Sequence, residues 1–121
     1  DFSEQFCPIL SVSRAEVEGL FSRYGLLDEQ VRFLEGWFKD TLPEAPIDSI
    51  ALLRLDGDLY ESTMDALKAL YDRVSVGGYI IVDDYNSLSS CKQAITEFRE
   101  SHGVSGEIVR IDDSSVFWKK Q

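Results

Sequence analysis

Four aspartates stand where two apolar segments of the chain end. Asp56 and Asp58 follow the first segment, and Asp83 and Asp84 follow the second. If these segments are neighbouring parallel strands, about 4.8 Å apart, their carboxyl ends bring Asp56 and Asp83 into one cleft. Carboxylates at that separation raise one another's pKa unless a cation neutralises them. Oxygen ligands suit Mg²⁺, Ca²⁺ or Mn²⁺, and the sequence has no His or Cys cluster for zinc.

These aspartates also have a purely structural explanation. Asp is common after strands because its side chain caps turns and helix starts. One Asp at a strand end is therefore more often structural than functional, whereas two acidic groups after neighbouring strands are harder to explain in this way. The pattern alone supports a metal or acid/base site and a set of capping residues about equally.

The elements that must position these acids alternate between helix and strand periodicity, which indicates an α/β fold. Apolar runs of strand length favour parallel strands that are buried on both faces. A turn signal at residues 112–114 predicts an antiparallel hairpin at one edge of the sheet, and Gly77-Gly78 is expected to break the chain. The pattern predicts helices at 13–24, 37–42, 62–74 and from 88 to about 102, and strands at 31–34, 50–55, 79–82, 107–111 and 115–119.

Composition narrows the class of protein. The 121 residues carry 12 Lys and Arg against 22 Asp and Glu, a formal net charge of −10. That balance argues against a nucleic-acid binder and against a polybasic membrane segment. No apolar run is long enough to span a bilayer, and no leader suggests secretion. We therefore expect a cytoplasmic protein with two reduced thiols, Cys7 and Cys91, and with neither nucleic-acid nor membrane partners.

Several further residues have more than one explanation. His102, the only histidine, is a weak catalytic candidate, because a His near a helix C-terminus usually favours the dipole or faces water. Trp37 and Phe38 could line a ligand pocket or pack in the core, and the sequence supports the two interpretations equally. Arg54 needs a carboxylate partner if its strand is buried. The remaining candidates lie on the rim of the expected site or are turn residues: Tyr60, Glu61, Tyr85 and Asn86.

Several stretches of the chain together form a specific pattern. They are YGLL (24–27), VRFLEGWFKDTLP (31–43), LRLDGDLYEST (53–63), GGYIIVDDY (77–85), ID (111–112) and FWKK (117–120). With these stretches the chain resembles the macrocin O-methyltransferase (TylF/MycF) family from about residue 12 to residue 120, and the string DGDLYEST is the most specific part. The resemblance implies a partial Rossmann-like class I methyltransferase fold, with a mostly parallel sheet, a C-terminal antiparallel hairpin and helices on both faces.

The resemblance also implies an activity. Family members are S-adenosylmethionine- and Mg²⁺-dependent O-methyltransferases that act on a hydroxyl of a natural-product sugar or phenol. Carried over by position, the family's metal ligands fall on Asp56, Asp83 and Asp84, and its proposed general base falls on Asp58. The residues beside the methyl donor fall on Gly36, Trp37, Phe38 and Gly57.

One part of the family pattern is missing from the printed sequence. The chain has no Gly-x-Gly-x-x-Gly motif. The resemblance implies that the chain begins after the family's glycine-rich turn. We therefore expect a single domain over residues 1–121 that is the C-terminal part of a methyltransferase domain, inactive alone. Its apolar strand at 50–55 is expected to expose an edge, which makes a homo-oligomer plausible. An inactive fragment and a cation-binding module without methyl transfer stay open as alternatives.

Overall fold

The structure is a computed structural model that describes residues 11–121. Its contacts divide the chain into two units, Asp1–Glu35 and Gly36–Gln121, and each is described by itself. The prediction of one domain over residues 1–121 stays a prediction. Cys7 lies outside the described residues, and Cys91 is a free, buried cysteine.

The first unit contains helix α1 (Arg14–Arg23), close to the predicted range. The helix begins after Ser13, whose hydroxyl accepts a hydrogen bond from the Glu16 amide at 3.1 Å. Glu16 lies three residues after Ser13, so this is the N-cap half of a Ser-x-x-Glu capping box, and it satisfies one of the free amides of the first turn. The start of the helix coincides with this pattern in the sequence.

The predicted strand at residues 31–34 is wrong. These residues have no regular structure, and no strand of the described residues pairs with them. The ring of Phe33 instead packs edge-on against Phe21 of α1, with centroids 5.9 Å apart, and Leu34 stays 44% exposed. An apolar run of strand length forms a strand only where another strand supplies its hydrogen bonds, so the run alone was insufficient evidence.

The second unit is an α/β assembly around a four-stranded sheet, which confirms the predicted class. The sheet order is β1-β2-β4-β3. Strands β1 and β2 are parallel neighbours, while β4 is antiparallel to both β2 and β3, as the predicted hairpin requires. The elements are α2 (Phe38–Thr41), β1 (Ile50–Leu55), α3 (Tyr60–Leu70), a 3₁₀ turn (Tyr71–Arg73), β2 (Val74–Val82), α4 (Ser89–Ser101), β3 (Val109–Arg110) and β4 (Val116–Lys119).

The helices α3 and α4 cover one face of this sheet. That face carries the buried strand residues Leu53, Leu55, Ile80, Val82, Val116 and Trp118, which join the apolar residues of α3 and α4 in one core. The opposite face is open in the described residues: Leu52 is 56% exposed and Tyr79 is 41% exposed. Within the second unit the strand at 50–55 is therefore buried on one face rather than on both, as had been expected. Apolar composition shows that a strand can be buried but does not say what covers it.

Strand β2 begins five residues earlier than predicted and runs through Gly77-Gly78. The glycines do not break the strand; they accommodate an irregularity in its pairing with β1, between Ile50 and Leu52. Gly77 has φ +86°, a conformation that L side chains rarely adopt. A Cβ on Gly78 would lie 2.9 Å from the Ala51 carbonyl oxygen. The correction follows from a bulge that glycine permits.

Candidate functional site

The ends of β1 and β2 bring three of the predicted acids together. One carboxylate oxygen from each of Asp56, Asp83 and Asp84 can be chosen so that all three lie within 4.8 Å of one another. The parallel register explains this, because Leu55 is paired with Val82, so that the residues after each strand meet at the same edge. Three carboxylates at this spacing are a hard, oxygen-only donor set, which suits Mg²⁺, Mn²⁺ or Ca²⁺.

The guanidinium of Arg54 lies beside two of these acids. Its Nη2 atom donates to Asp83 at 2.6 Å and lies 3.4 Å from Asp56. Arg54 thus has the carboxylate partner that the sequence required, although its side chain is 58% exposed rather than buried. The hydrogen bond to Asp83 raises the pKa of Arg54 further.

Two acids of the cluster, Asp56 and Asp84, have pKa values above the ordinary value for aspartate. Burial raises the pKa of Asp56, and the neighbouring charge of Asp83 adds to the effect. Burial also raises the pKa of Asp84 to about 6, with the hydrogen bond to Asp58 and its charge as further causes. The negative charge in the cluster therefore exceeds what Arg54 compensates, which is the electrostatic condition for binding a cation.

Asp58 lies at the centre of a tight turn that follows β1. Its φ is +62°, in the left-handed region, and the Leu59 amide donates across it to the Gly57 carbonyl at 2.6 Å. The Ser90 hydroxyl of α4 donates to the Asp58 carbonyl at 3.4 Å. A three-residue turn of this hand is rare and strained. It leaves the Asp58 carboxyl outside the three-acid group but within hydrogen-bonding reach of Asp84.

Two of the four residues predicted beside the methyl donor line a cavity of about 210 Å³. Phe38 and Gly57 form part of its wall, next to Asp56, with apolar residues of β1 and α3 behind them. A Cβ on Gly57 would lie 2.9 Å from the Ser62 Cβ and 3.3 Å from the Phe38 ring, so only glycine fits there. Small-molecule sites usually enclose about 300–1,000 Å³, so this cavity is smaller than a typical one.

The other two donor candidates are not part of that cavity wall. Gly36 has φ +136° at the entry to α2, and an added Cβ would lie 2.8 Å from Thr41. Trp37 is the N-cap residue of α2 and is 69% exposed. The structure therefore brings Phe38 and Gly57 together in one cavity wall. Gly36 and Trp37 directly precede Phe38 in the chain but are not part of that wall.

His102 lies at the wrong end of α4 to act on the acid cluster. It is the C-cap residue of that helix, its ring stacks on Phe98 with centroids 4.0 Å apart, and its Nδ1 lies 3.0 Å from the Phe98 carbonyl oxygen. The acids precede the other end of α4, and 13 helical residues span about 20 Å. His102 is thus explained by capping and packing.

The predicted rim residues have structural partners. The Tyr60 hydroxyl donates to Glu97 of α4 at 2.5 Å, and the ring of Tyr85 receives the Lys92 ammonium at 5.1 Å. The Asn86 amide donates to the Ser114 carbonyl at 2.9 Å, whereas Glu61 is exposed. These contacts tie the rim to α4 and to the hairpin.

Sequence reasoning missed two residues that touch the site. The hydroxyls of Ser114 and Ser115, in the turn between β3 and β4, donate to the Asp83 carbonyl at 2.9 and 2.8 Å. The antiparallel pairing of Val82 with Val116 puts Ser115 opposite Asp83. This strand register could have identified both serines. The residue types of a turn do not specify which strand the hairpin pairs with, so the register was not predictable from the sequence.

The fold and the acids thus define part of an α/β domain that carries an oxygen-only acidic site beyond its parallel strands. The same fold occurs in methyltransferases of known structure. The structure of the O-methyltransferase NovP matches with a TM-score of 0.95 and 54% identity, over 98% of this chain and 49% of that one. The SAH-bound methyltransferase PaMTH1 of Podospora anserina shares the fold at 18% identity and a TM-score of 0.65, over 88% of this chain and 56% of that one.

The family model for macrocin O-methyltransferases (TylF) matches residues 1–120, and the chain belongs to this family. It is 57% identical, over 93% of its length, to demethyldecarbamoylnovobiocin O-methyltransferase of Streptomyces niveus. It is 54% identical, over 92% of its length, to mycinamicin III 3''-O-methyltransferase of Micromonospora griseorubida. The chain spans 43% of the length of each of these relatives. None of the described helices combines the length and apolar character needed to cross a bilayer.

Proposed function

We propose that the protein is an S-adenosylmethionine- and Mg²⁺-dependent O-methyltransferase that acts on a hydroxyl of a natural-product sugar or phenol. Membership of the macrocin O-methyltransferase family supports the reaction class. The names of the relatives, which act on derivatives of novobiocin and mycinamicin, support the class of acceptor. The single observation that carries the role of the cation is the convergence of three carboxylates within 4.8 Å.

In this proposal Asp56, Asp83 and Asp84 hold the cation. Their donor set fits a hard divalent ion, and three carboxylates face the single guanidinium of Arg54. A bound Mg²⁺ would lower the pKa of an acceptor hydroxyl that it contacts, so that a nucleophile forms near neutral pH.

Asp58 would accept the proton of that hydroxyl. It lies two residues beyond Asp56 and outside the three-acid group, and general-base catalysis requires a group within hydrogen-bonding reach of the reacting oxygen. The tight turn at Gly57 and Asp58 would fix that reach before the acceptor binds.

Phe38 and Gly57 would line one side of the donor site, with Gly36 and Trp37 flanking it. S-adenosylmethionine would supply the methyl group from its sulfonium, and its sulfur would keep the electron pair of the broken carbon–sulfur bond and leave as a neutral thioether. The protein's contribution would be to align acceptor oxygen, methyl carbon and sulfur, an orientation effect. The close approach of Gly57 to Phe38 supports this placement, since a Cβ there would crowd the ring at 3.3 Å.

The test is methyl transfer by the full-length protein from labelled S-adenosylmethionine to a panel of hydroxylated natural products. Transfer that chelation by EDTA abolishes and Mg²⁺ restores would support the proposal. Mn²⁺ binding without transfer to any acceptor would favour the alternative, a cation-binding module without methyl transfer. That alternative is favoured by one observation, since the acid cluster lies within the described residues whereas the cavity beside it encloses only about 210 Å³.

We also propose that the 121-residue chain associates with itself when isolated. Strand β1 is an edge of the described sheet, and the open face carries Leu52 and Tyr79. Unpaired edges and exposed apolar faces promote association. Sedimentation velocity should show oligomers whose proportion rises with concentration and falls in Leu52→Lys. A monomer at all concentrations would contradict this. Cytoplasmic location stays a prediction.

A further inference from the structure

We infer that Ser114 and Ser115 are positioning residues that orient the two cation ligands contributed by β2. The inference rests on the proposed cation site. Both hydroxyls donate to the same acceptor, the Asp83 carbonyl oxygen, at 2.9 and 2.8 Å. A carbonyl oxygen has two lone pairs, so the pair of serines saturates this one.

The position of that carbonyl affects the orientation of both acids, Asp83 and Asp84. It belongs to the planar peptide unit that joins Asp83 to Asp84, and a planar unit rotates as a whole. Fixing its oxygen therefore fixes the directions in which both side chains leave the backbone. No other peptide unit of the cluster joins two of the three candidate ligands.

The hairpin turn that presents the serines is itself held in place. The carboxylate of Asp112 accepts hydrogen bonds from the amides of Ser114 and Ser115 at 2.9 and 2.6 Å. These two bonds lower the pKa of Asp112, so it stays ionised and able to accept them. Ser115 is buried, at 9% exposure, and the Ser114 carbonyl accepts from the Asn86 amide at 2.9 Å.

The opposite side of the same segment is tied to β1 and to α4. The Asp83 amide donates to the Leu55 carbonyl at 2.9 Å, and the Asp84 carbonyl accepts from the amides of Ser87 and Leu88 at 3.2 and 3.0 Å. With the serines, the Asp83 amide and the carbonyls of Asp83 and Asp84 all have hydrogen-bond partners. The serines are the only side chains among these partners, so they are the part that substitution can remove.

The experiment measures Mn²⁺ affinity of the full-length protein by titration calorimetry. Loss of contacts that orient metal ligands typically costs 10–100-fold in affinity. The double variant Ser114→Ala/Ser115→Ala should lose about that much. In each single variant the logarithm of the affinity loss should be less than half of that in the double variant, because one hydroxyl remains. Ser114→Thr retains the hydroxyl and should retain the affinity.

The matched control is Ser101→Ala, which removes a hydroxyl that donates to the Phe98 carbonyl at the far end of α4. Its Mn²⁺ affinity should equal that of the wild type. A Ser114→Ala/Ser115→Ala variant that melts earlier but binds Mn²⁺ as the wild type does would overturn the inference, because its serines would then be structural only.

Failure of the proposed cation site has a different signature. If the wild type and Asp83→Ala both fail to bind Mn²⁺, the cation site and this inference fall together. If Asp83→Ala loses binding while the serine variants keep it, only the inference is overturned. Should the double variant not fold by circular dichroism, the single variants decide, and wild-type affinity in both overturns the inference.

Discussion

The ends of β1 and β2 contribute acids to one cluster but hold them in different ways. After β2, hydrogen bonds from β4's hairpin and from the start of α4 fix the backbone around Asp83 and Asp84. After β1, Asp56 and Asp58 lie in a tight turn on the edge strand of the described sheet, and the Asp56 side chain is 50% exposed. The β2 end is thus fixed by contacts within the described residues, whereas the β1 end depends on one strained turn.

The largest expected effect separates the two aspartates of the β1 end. Asp58→Asn should lower turnover of the full-length enzyme by about 10²–10⁴, the usual contribution of a general base, with Mn²⁺ affinity nearly unchanged. Asp56→Asn should weaken Mn²⁺ binding as well, so that raised Mg²⁺ partly restores its turnover. Turnover measured against Mg²⁺ and pH for both variants checks this, and raised pH should help only Asp58→Asn. Wild-type turnover in Asp58→Asn would make Asp58 a turn residue.

The next effect tests the two faces of β1. Leu53→Ala should destabilise the protein by about 2–5 kcal/mol, because it opens a cavity in the core. Leu52→Ala removes the same atoms from the open face and should cost under about 1 kcal/mol. Chemical denaturation of both variants measures the difference. Equal losses of unfolding free energy in the two variants would mean that another part of the protein covers Leu52.

The smallest effect concerns the pH dependence of the metal-free β2 end. The pKa of Asp84 is about 6 in the folded protein, against 3.8 for the ordinary carboxyl. The folded state therefore binds this proton more tightly than the unfolded chain. The free energy of unfolding should fall as pH rises from about 4 to about 6 and then level off. The fall should be about 1 kcal/mol after allowance for partial exposure.

The matched variant is Asp84→Asn, which has no proton to lose. Thermal unfolding in EDTA between pH 4 and pH 7 should show this part of the pH dependence in the wild type and not in Asp84→Asn. The same slope in both proteins would assign the dependence to other carboxyls.

The sequence predicted the grouping of the acids better than it predicted what surrounds them, and the roles of these acids stay a prediction. Two consecutive apolar runs, with a helix between them, imply parallel neighbours, and this placed Asp56 beside Asp83 correctly. The run at residues 31–34 looked similar but has no partner strand in the described residues, so it formed none. The exposure of Leu52 could not be predicted for the same reason. The residues of a strand do not specify which other element packs against it.

The residues that hold the site were harder to find than the acids. Ser114 and Ser115 contact the Asp83 carbonyl because β4 pairs with β2 in one particular register. Residue types at a turn predict the turn but not the strand it lies against. The left-handed φ of +62° at Asp58 was likewise not predicted, although Asp adopts that region more readily than most residues do.

Mn²⁺ binding by Asp83→Ala tests the central claim, the three-acid cation site, most directly. Calorimetry should show binding by the wild type and none by Asp83→Ala in a sample shown to be folded by circular dichroism. The control is Asp113→Ala, which removes an acid whose side chain is 98% exposed in the hairpin turn, and it should bind as the wild type does. Equal binding by the wild type and Asp83→Ala would contradict the account, because the cation would then be held elsewhere.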